Sequence, residues 1–142
     1  MQAMEISRTG LEVEWRRLEI IAENLANVST TWVGSGEPFR AQRLISGPKA
    51  DFATYLARGG AERNLAGVTV YGVEPGSAPP RRVYEPSHPH ADANGFVSYP
   101  AIDHAGEMTL MVKTARGYEA NIVAMNSARQ MYAKAMELGK RA

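Results

Sequence analysis

The chain has 142 residues, with 16 basic against 15 acidic side chains, a formal net charge of +1 and no cysteine. That length makes one domain with a single core. The even charge balance, with basic doublets scattered at Arg16-Arg17, Arg81-Arg82 and Lys140-Arg141, excludes the clustered positive patch that nucleic-acid binding needs. The lack of cysteine excludes disulfides and thiolate metal sites.

The first residues, MQAMEISRTGLEVEW, are interrupted early by Glu and Arg. They carry no secretory h-region, and no stretch of the chain approaches the ~20 apolar residues of a membrane span. The expectation is a protein without a cleaved signal peptide and without a direct membrane span. The same segment predicts a helix from Ala3 to Asn27. Met4, Leu11, Leu18 and Leu25 recur every seven residues, with Trp15 and Ala22 at the complementary heptad positions. Ile6, Val13 and Ile20 form a second series about 200° round the helix. A helix apolar on two opposite faces needs more cover than one intramolecular partner supplies. It also ends oddly: Asn24 and Asn27 share a face, where a helix closing on solvent would stop with Gly.

All eight prolines and seven of the thirteen glycines fall between Pro38 and Pro100, so this middle cannot stay helical for long. Residues 40–45, 68–73 and 95–99 are strand candidates, the last opened by the Asn94-Gly95 turn signal. KADFATYLARGG, residues 49–60, predicts a short helix. The most enzyme-like stretch is HPHAD, where His88, His90 and Asp92 are an alternative metal site for a small metal-dependent enzyme. The spacing is weak for that, no helical HExxH accompanies it, and Asp92 beside Asn94-Gly95 reads better as turn chemistry. No nucleophile motif or phosphate loop is present. The residues therefore point to no catalysis, no cofactor and no resident metal.

The C-terminal segment predicts a helix from Ala105 to Lys140, with Asp103 as N-cap and Glu107 in the first turn. Met108, Ala115, Ile122 and Met136 form one heptad series, broken by Arg129, and Met111, Tyr118, Met125 and Tyr132 form its partner. Leu110, Ala124, Met131 and Leu138 widen the apolar surface on one flank. Such a helix is about 54 Å long, whereas a globule of this size is roughly 40 Å across. A break at Gly117 is the alternative.

Three segments carry a family likeness. Gly10-Leu11, Arg17-Leu18 and AENLANVST at residues 22–30 resemble the N-terminal helix of the axial flagellar proteins of rod and hook. ARGYEANIVAMNSARQMYAKAMELGK, residues 115–140, resembles their C-terminal helix. VYEPSHPHADANGFVSYPAIDHAGEM, residues 83–108, resembles the proximal-rod members. The chain departs from the pattern in TTWVGSGEPFR, where Trp32 is added and Phe39 stands in place of the usual Tyr, and residues 47–66 match nothing in it.

The resemblance implies a mainly α, elongated fold with a small β-containing middle, its terminal helices paired as a coiled-coil-like domain. The organisation would be residues 1–30 and 103–142 as the helices of that core, and 31–102 as extended arms and middle module. It implies a non-enzymatic structural subunit of the bacterial flagellar proximal rod, exported by the type III apparatus and assembled helically across the periplasm into a torque-transmitting shaft around a channel. The implied partners are further copies of itself, other rod proteins, basal-body ring and rod-adaptor proteins and the export apparatus; another rod subunit of the same family is the alternative. The subunit contacts would then come from Met4, Leu11, Trp15, Leu18, Ile20, Asn24, Leu25 and Asn27 of the first helix, and from Met111, Tyr118, Asn121, Ile122, Met125, Asn126, Tyr132 and Met136 of the second. Amides in an apolar seam fix register, as a buried Asn does in coiled coils.

Overall fold

In the computed structural model, which describes residues 2–49 and 67–140, α1 runs from Gln2 to Ala26. Its end is closed by Asn27. The Asn27 backbone N–H and side-chain Nδ2 both donate to the Glu23 carbonyl, and the Thr30 hydroxyl donates to Asn27 Oδ1. These bonds satisfy a carbonyl that the helix end would otherwise leave orphaned. The second long helix, α2, runs from His104 to Gly139 without a break at Gly117. Gly117 is a point of close approach, its Cβ position lying 3.6 Å from the Glu14 carboxyl carbon. Asp103 stands just before α2, accepts the Glu107 N–H on its backbone oxygen, and folds its carboxylate over Gly106. That is the geometry of an N-cap.

In chain order between the helices, the described residues form two small sheets. Strands β1 (Gln42–Pro48) and β2 (Val68–Pro75) pair with each other. Lys49 donates to the Gly67 carbonyl at one end and Gly76 to the Ala41 carbonyl at the other, so the pair is antiparallel. Strands β3 (Arg81–Tyr84) and β4 (Phe96–Tyr99) are antiparallel as well, with Val83 opposite Val97 and Tyr84 opposite Phe96. Strand β3 was not among the strand candidates: it is four residues long, half of it an Arg doublet, and has prolines on both sides. The helix expected over residues 49–60 lies outside the described residues, apart from Lys49 in a bend.

The chain divides into two compact units, one of residues 1–16, 45–72 and 114–142, the other of 17–44 and 73–113. In the first, α1 and α2 run antiparallel: Gly10 meets the Asn121 amide, Glu14 meets Gly117, and the Trp15 and Tyr118 rings lie 6.2 Å apart. Thr9 joins β2 to α1. Its hydroxyl donates to the Ile6 carbonyl and accepts the Val68 N–H. In the second unit Asn24 does the joining, with Oδ1 accepting the Gln42 N–H at 2.8 Å and Nδ2 donating to the Gln42 carbonyl and the Glu107 carboxylate. One amide thus mimics a strand neighbour for Gln42 and reaches α2.

Among the described residues the buried apolar ones are few: Val13, Ile20, Ile21 and Val97. Of the two apolar series on α1, Val13 and Ile20 of the second are enclosed, whereas Met4, Leu11, Leu18 and Leu25 are half-buried. Ser7, Thr9, Asn24 and Thr114 are buried beside them, and no buried side-chain nitrogen or oxygen among the described residues lacks a hydrogen bond.

Candidate assembly surface

Helix α2 has 36 residues, and its one buried residue is Thr114, at 3 % exposure. Met108, Leu110, Val112, Val123, Met131, Tyr132, Met136 and Leu138 are all exposed, Leu138 at 70 %. For the last four of these the cause is geometric. Carrying the register of Gly10 on Asn121 and Glu14 on Gly117 outward sets Gln2 level with Arg129. The stretch Gln130–Gly139 therefore runs on past the first described residue of α1, about 15 Å of helix at the standard rise. Every residue from Met131 to Lys140 is exposed. Isolated helix is marginal in water without a packed face, and this overhang leaves its apolar side chains uncovered.

The sixteen residues singled out by sequence fall into three groups. Ile20 and Asn24 are enclosed within the chain, Asn24 with every polar atom bonded. Met4, Leu11, Leu18, Leu25, Asn27, Met111, Tyr118, Asn121, Ile122 and Met125 are half-buried, each leaving part of its side chain at the surface. Trp15, Asn126, Tyr132 and Met136 are exposed. Between these apolar stripes the charges on α1 pair with one another: Arg8 bridges Glu5 and Glu12. Sequence reasoning missed Thr9, and read Gly10 only as part of the family likeness, although a helix-interior glycine, costing about 1 kcal/mol against Ala, is a signal of close packing.

The HPHAD loop is occupied with its own bonds. His88 Nδ1 accepts the His90 N–H, and His90 Nδ1 lies 2.9 Å from the Thr31 hydroxyl while its ring stacks on Trp32 at 5.2 Å. Asp92 Oδ1 accepts the N–H groups of Asn94 and Phe96, and Oδ2 pairs with Arg82. Among the described residues no three metal-ligating side chains converge.

The Phe96 N–H, and after it the Asn94 N–H and Arg82, hold the Asp92 carboxyl below its ordinary value. A carboxyl depressed in the folded state stabilises it fully above the unfolded value and loses that contribution as pH falls through the lower folded one. The β3–β4 loop is therefore expected to loosen in acid below the normal Asp range. Hydrogen exchange at Phe96 against pH checks this, and Asp92→Asn, which keeps Oδ1, should flatten the profile. An unchanged profile in that variant would remove Asp92 as the cause.

Residues 93–138 match the family model described as flagellar basal body rod FlgEFG protein C-terminal. The chain is 35 % identical over 140 residues to the flagellar basal-body rod protein FlgC of Salmonella typhimurium (strain LT2), spanning 99 % of this chain and 98 % of that one. It is 32 % identical to FlgC of Bacillus subtilis (strain 168), over 97 % of each chain, and 31 % identical to FlgC of Borreliella burgdorferi, over 96 % and 95 %.

The chain belongs to the FlgC family of flagellar basal-body rod proteins.

As a member of the FlgC family it is a structural subunit of the flagellar rod. The family-model match begins in the β3–β4 loop and takes in all but the last residue of α2, so the matched segment contains the uncovered apolar surface. The full-length relatives extend the FlgC likeness through the middle as well. Among the described residues no helix is long and apolar enough to cross a membrane.

Proposed function

We propose that this chain builds the proximal rod of the bacterial flagellum by burying its uncovered helix faces between subunits, and that it has no catalytic role. The observation carrying the proposal is α2, with one buried residue in 36 and large apolar side chains exposed to its end. Apolar area of that kind is recovered at roughly 25 cal/mol per Å² once a neighbour covers it. Repeated around a helical array, such contacts resist torsion, which is what a shaft around an export channel requires.

On this reading Trp15, Tyr132, Met136 and the half-buried Met4, Leu11, Leu18, Leu25, Met111, Tyr118, Ile122 and Met125 meet neighbouring subunits, with the Asn27, Asn121 and Asn126 amides at the same seams. Residues 1–30 and 103–142 form the core helices, and 31–102 the arms and module that face outward. The partners are further copies, other rod proteins, ring and rod-adaptor proteins and the export apparatus. The chain takes its place in the periplasmic part of the basal body.

Deleting the gene and complementing it tests this, with swimming and electron microscopy of isolated basal bodies as readouts. The expected result is membrane rings without a completed rod, restored by the wild-type gene. Complementation with Met136→Asp combined with Leu138→Asp should fail, while denaturant unfolding of the purified variant shifts by no more than about 0.5 kcal/mol, as for ordinary surface changes. Complete rods in the deletion strain would refute the role, and complete rods with the double variant would refute the surface.

A further inference from the structure

Asn94 is followed directly by Gly95, and Asn94 is exposed in the loop between β3 and β4. This order of residues has a chemistry of its own, since Asn is a thermolabile residue. The backbone nitrogen after an Asn can attack the side-chain carbonyl carbon and close a five-membered succinimide. Glycine there leaves the approach unhindered, having no Cβ. The bond formed joins Gly95 N to Asn94 Cγ and the bond broken is Cγ–Nδ2. Ammonia leaves with the amide proton. Water then opens the ring at either carbonyl, giving aspartate or an isoaspartyl linkage. Water is the only co-reactant.

The loop keeps that attack from starting. Gly95 N–H is engaged, donating to the Asp92 carbonyl at 2.9 Å. Asp92 Oδ1 holds the Asn94 N–H at 2.8 Å and the Phe96 N–H at 2.9 Å, and Asp92 N–H donates to the Phe96 carbonyl at 2.8 Å. Nor can the glycine be replaced without strain. Its φ is +79°, and a Cβ would sit 2.9 Å from the Tyr84 ring and 3.1 Å from Pro86 Cβ. The fold thus demands the residue that makes Asn94 labile, and the same loop shields it.

We propose that Asn94-Gly95 is a spontaneous deamidation site held shut by Asp92. Folded chains are protected, and chains that linger unfolded are modified. The product weakens the loop it arises in. Aspartate sets a second carboxylate beside Asp92, and the isoaspartyl form adds a backbone methylene to a connection whose register is set by its length.

The test follows the full chain at neutral pH by mass spectrometry of the peptide containing residue 94, with enzymatic methylation to score isoaspartate. Wild-type protein is compared with and without urea, alongside Asp92→Ala and Asp92→Asn. Deamidation in urea and in Asp92→Ala is expected at about ten times the folded wild-type rate or faster, the scale of one lost hydrogen bond to a charged group. Asp92→Asn, which keeps the Oδ1 acceptor, should stay within a few-fold of wild type. Equal rates for folded and urea-unfolded wild type would overturn the proposal. So would an Asp92→Asn variant as labile as Asp92→Ala while its Phe96 amide remains protected from exchange. Should Asp92→Ala fail to fold, the wild-type pair and Asp92→Asn decide alone.

Discussion

Replacing Gly67 with Ala is expected to cost about 3 kcal/mol or more, a large share of the 5–15 kcal/mol that holds a typical domain. Two penalties combine. Gly67 has φ +84°, a conformation that costs an L-residue roughly 1–2 kcal/mol. Its Cβ position also lies 2.2 Å from Thr9 Oγ1 and 3.2 Å from Thr9 Cβ. Thr9 is buried, and its hydroxyl is the acceptor for Val68 N–H, so it cannot yield without leaving a buried donor unpaired, at about 1–3 kcal/mol. Urea unfolding measures the loss, and a double-mutant cycle with Thr9→Ser tests its source. Because the hydroxyl stays in Thr9→Ser, the clash should persist; with Thr9→Ala much of it should lift, and the two changes should be strongly non-additive. A loss below about 1 kcal/mol for Gly67→Ala, within the ordinary cost of a surface change, would show that β2 is not docked on α1 through this contact.

Asn24→Asp should be nearly as damaging, and in a way that depends on pH. The exchange removes only the Nδ2 donor, but that donor faces the Gln42 carbonyl and the Glu107 carboxylate at a position 2 % exposed. An ionised carboxylate there confronts two acceptors with little water, for a cost of about 3 kcal/mol or more. Burial and Glu107 both disfavour the charged form, so the introduced group titrates above the normal Asp range. The penalty is full at pH values above that raised value. It is relieved as pH falls through it, because the protonated carboxyl regains a donor. The variant should therefore become relatively more stable in mild acid, where the Asp92 loop has not yet loosened. Stability measured across pH for Asn24→Asp against wild type checks the sign. A constant difference at all pH values would mean that the buried amide does not bind Gln42 and Glu107 as described.

Much of the fold was legible because helix formation leaves a periodic record. The apolar spacing in α1 and α2, the Asp103 cap and the proline-free ends marked both helices to within a residue of their observed limits. Strand β3 was not legible, since four residues with two arginines carry too little alternation to register. Its strand character comes from pairing with β4 and from Arg82 and Arg81 lying over the Phe96 and Tyr99 rings, contacts between residues distant in sequence. Asn27 closes the end of α1 through its bonds to Glu23 and Thr30. Asn24, three residues earlier, has the same side chain and an unrelated use.

Sequence alone determined that this chain has two long helices with more apolar surface than one pairing can cover, because hydrophobic periodicity is local to each segment. It also determined the family likeness, through motifs contiguous in the chain. The tertiary structure alone decided which apolar series turns inward, where Asn24 spends its amide, why Gly10 and Gly67 must stay small, and how far α2 outruns α1. Those are matters of register between segments far apart in sequence, and register is set by where side chains from different segments interlock.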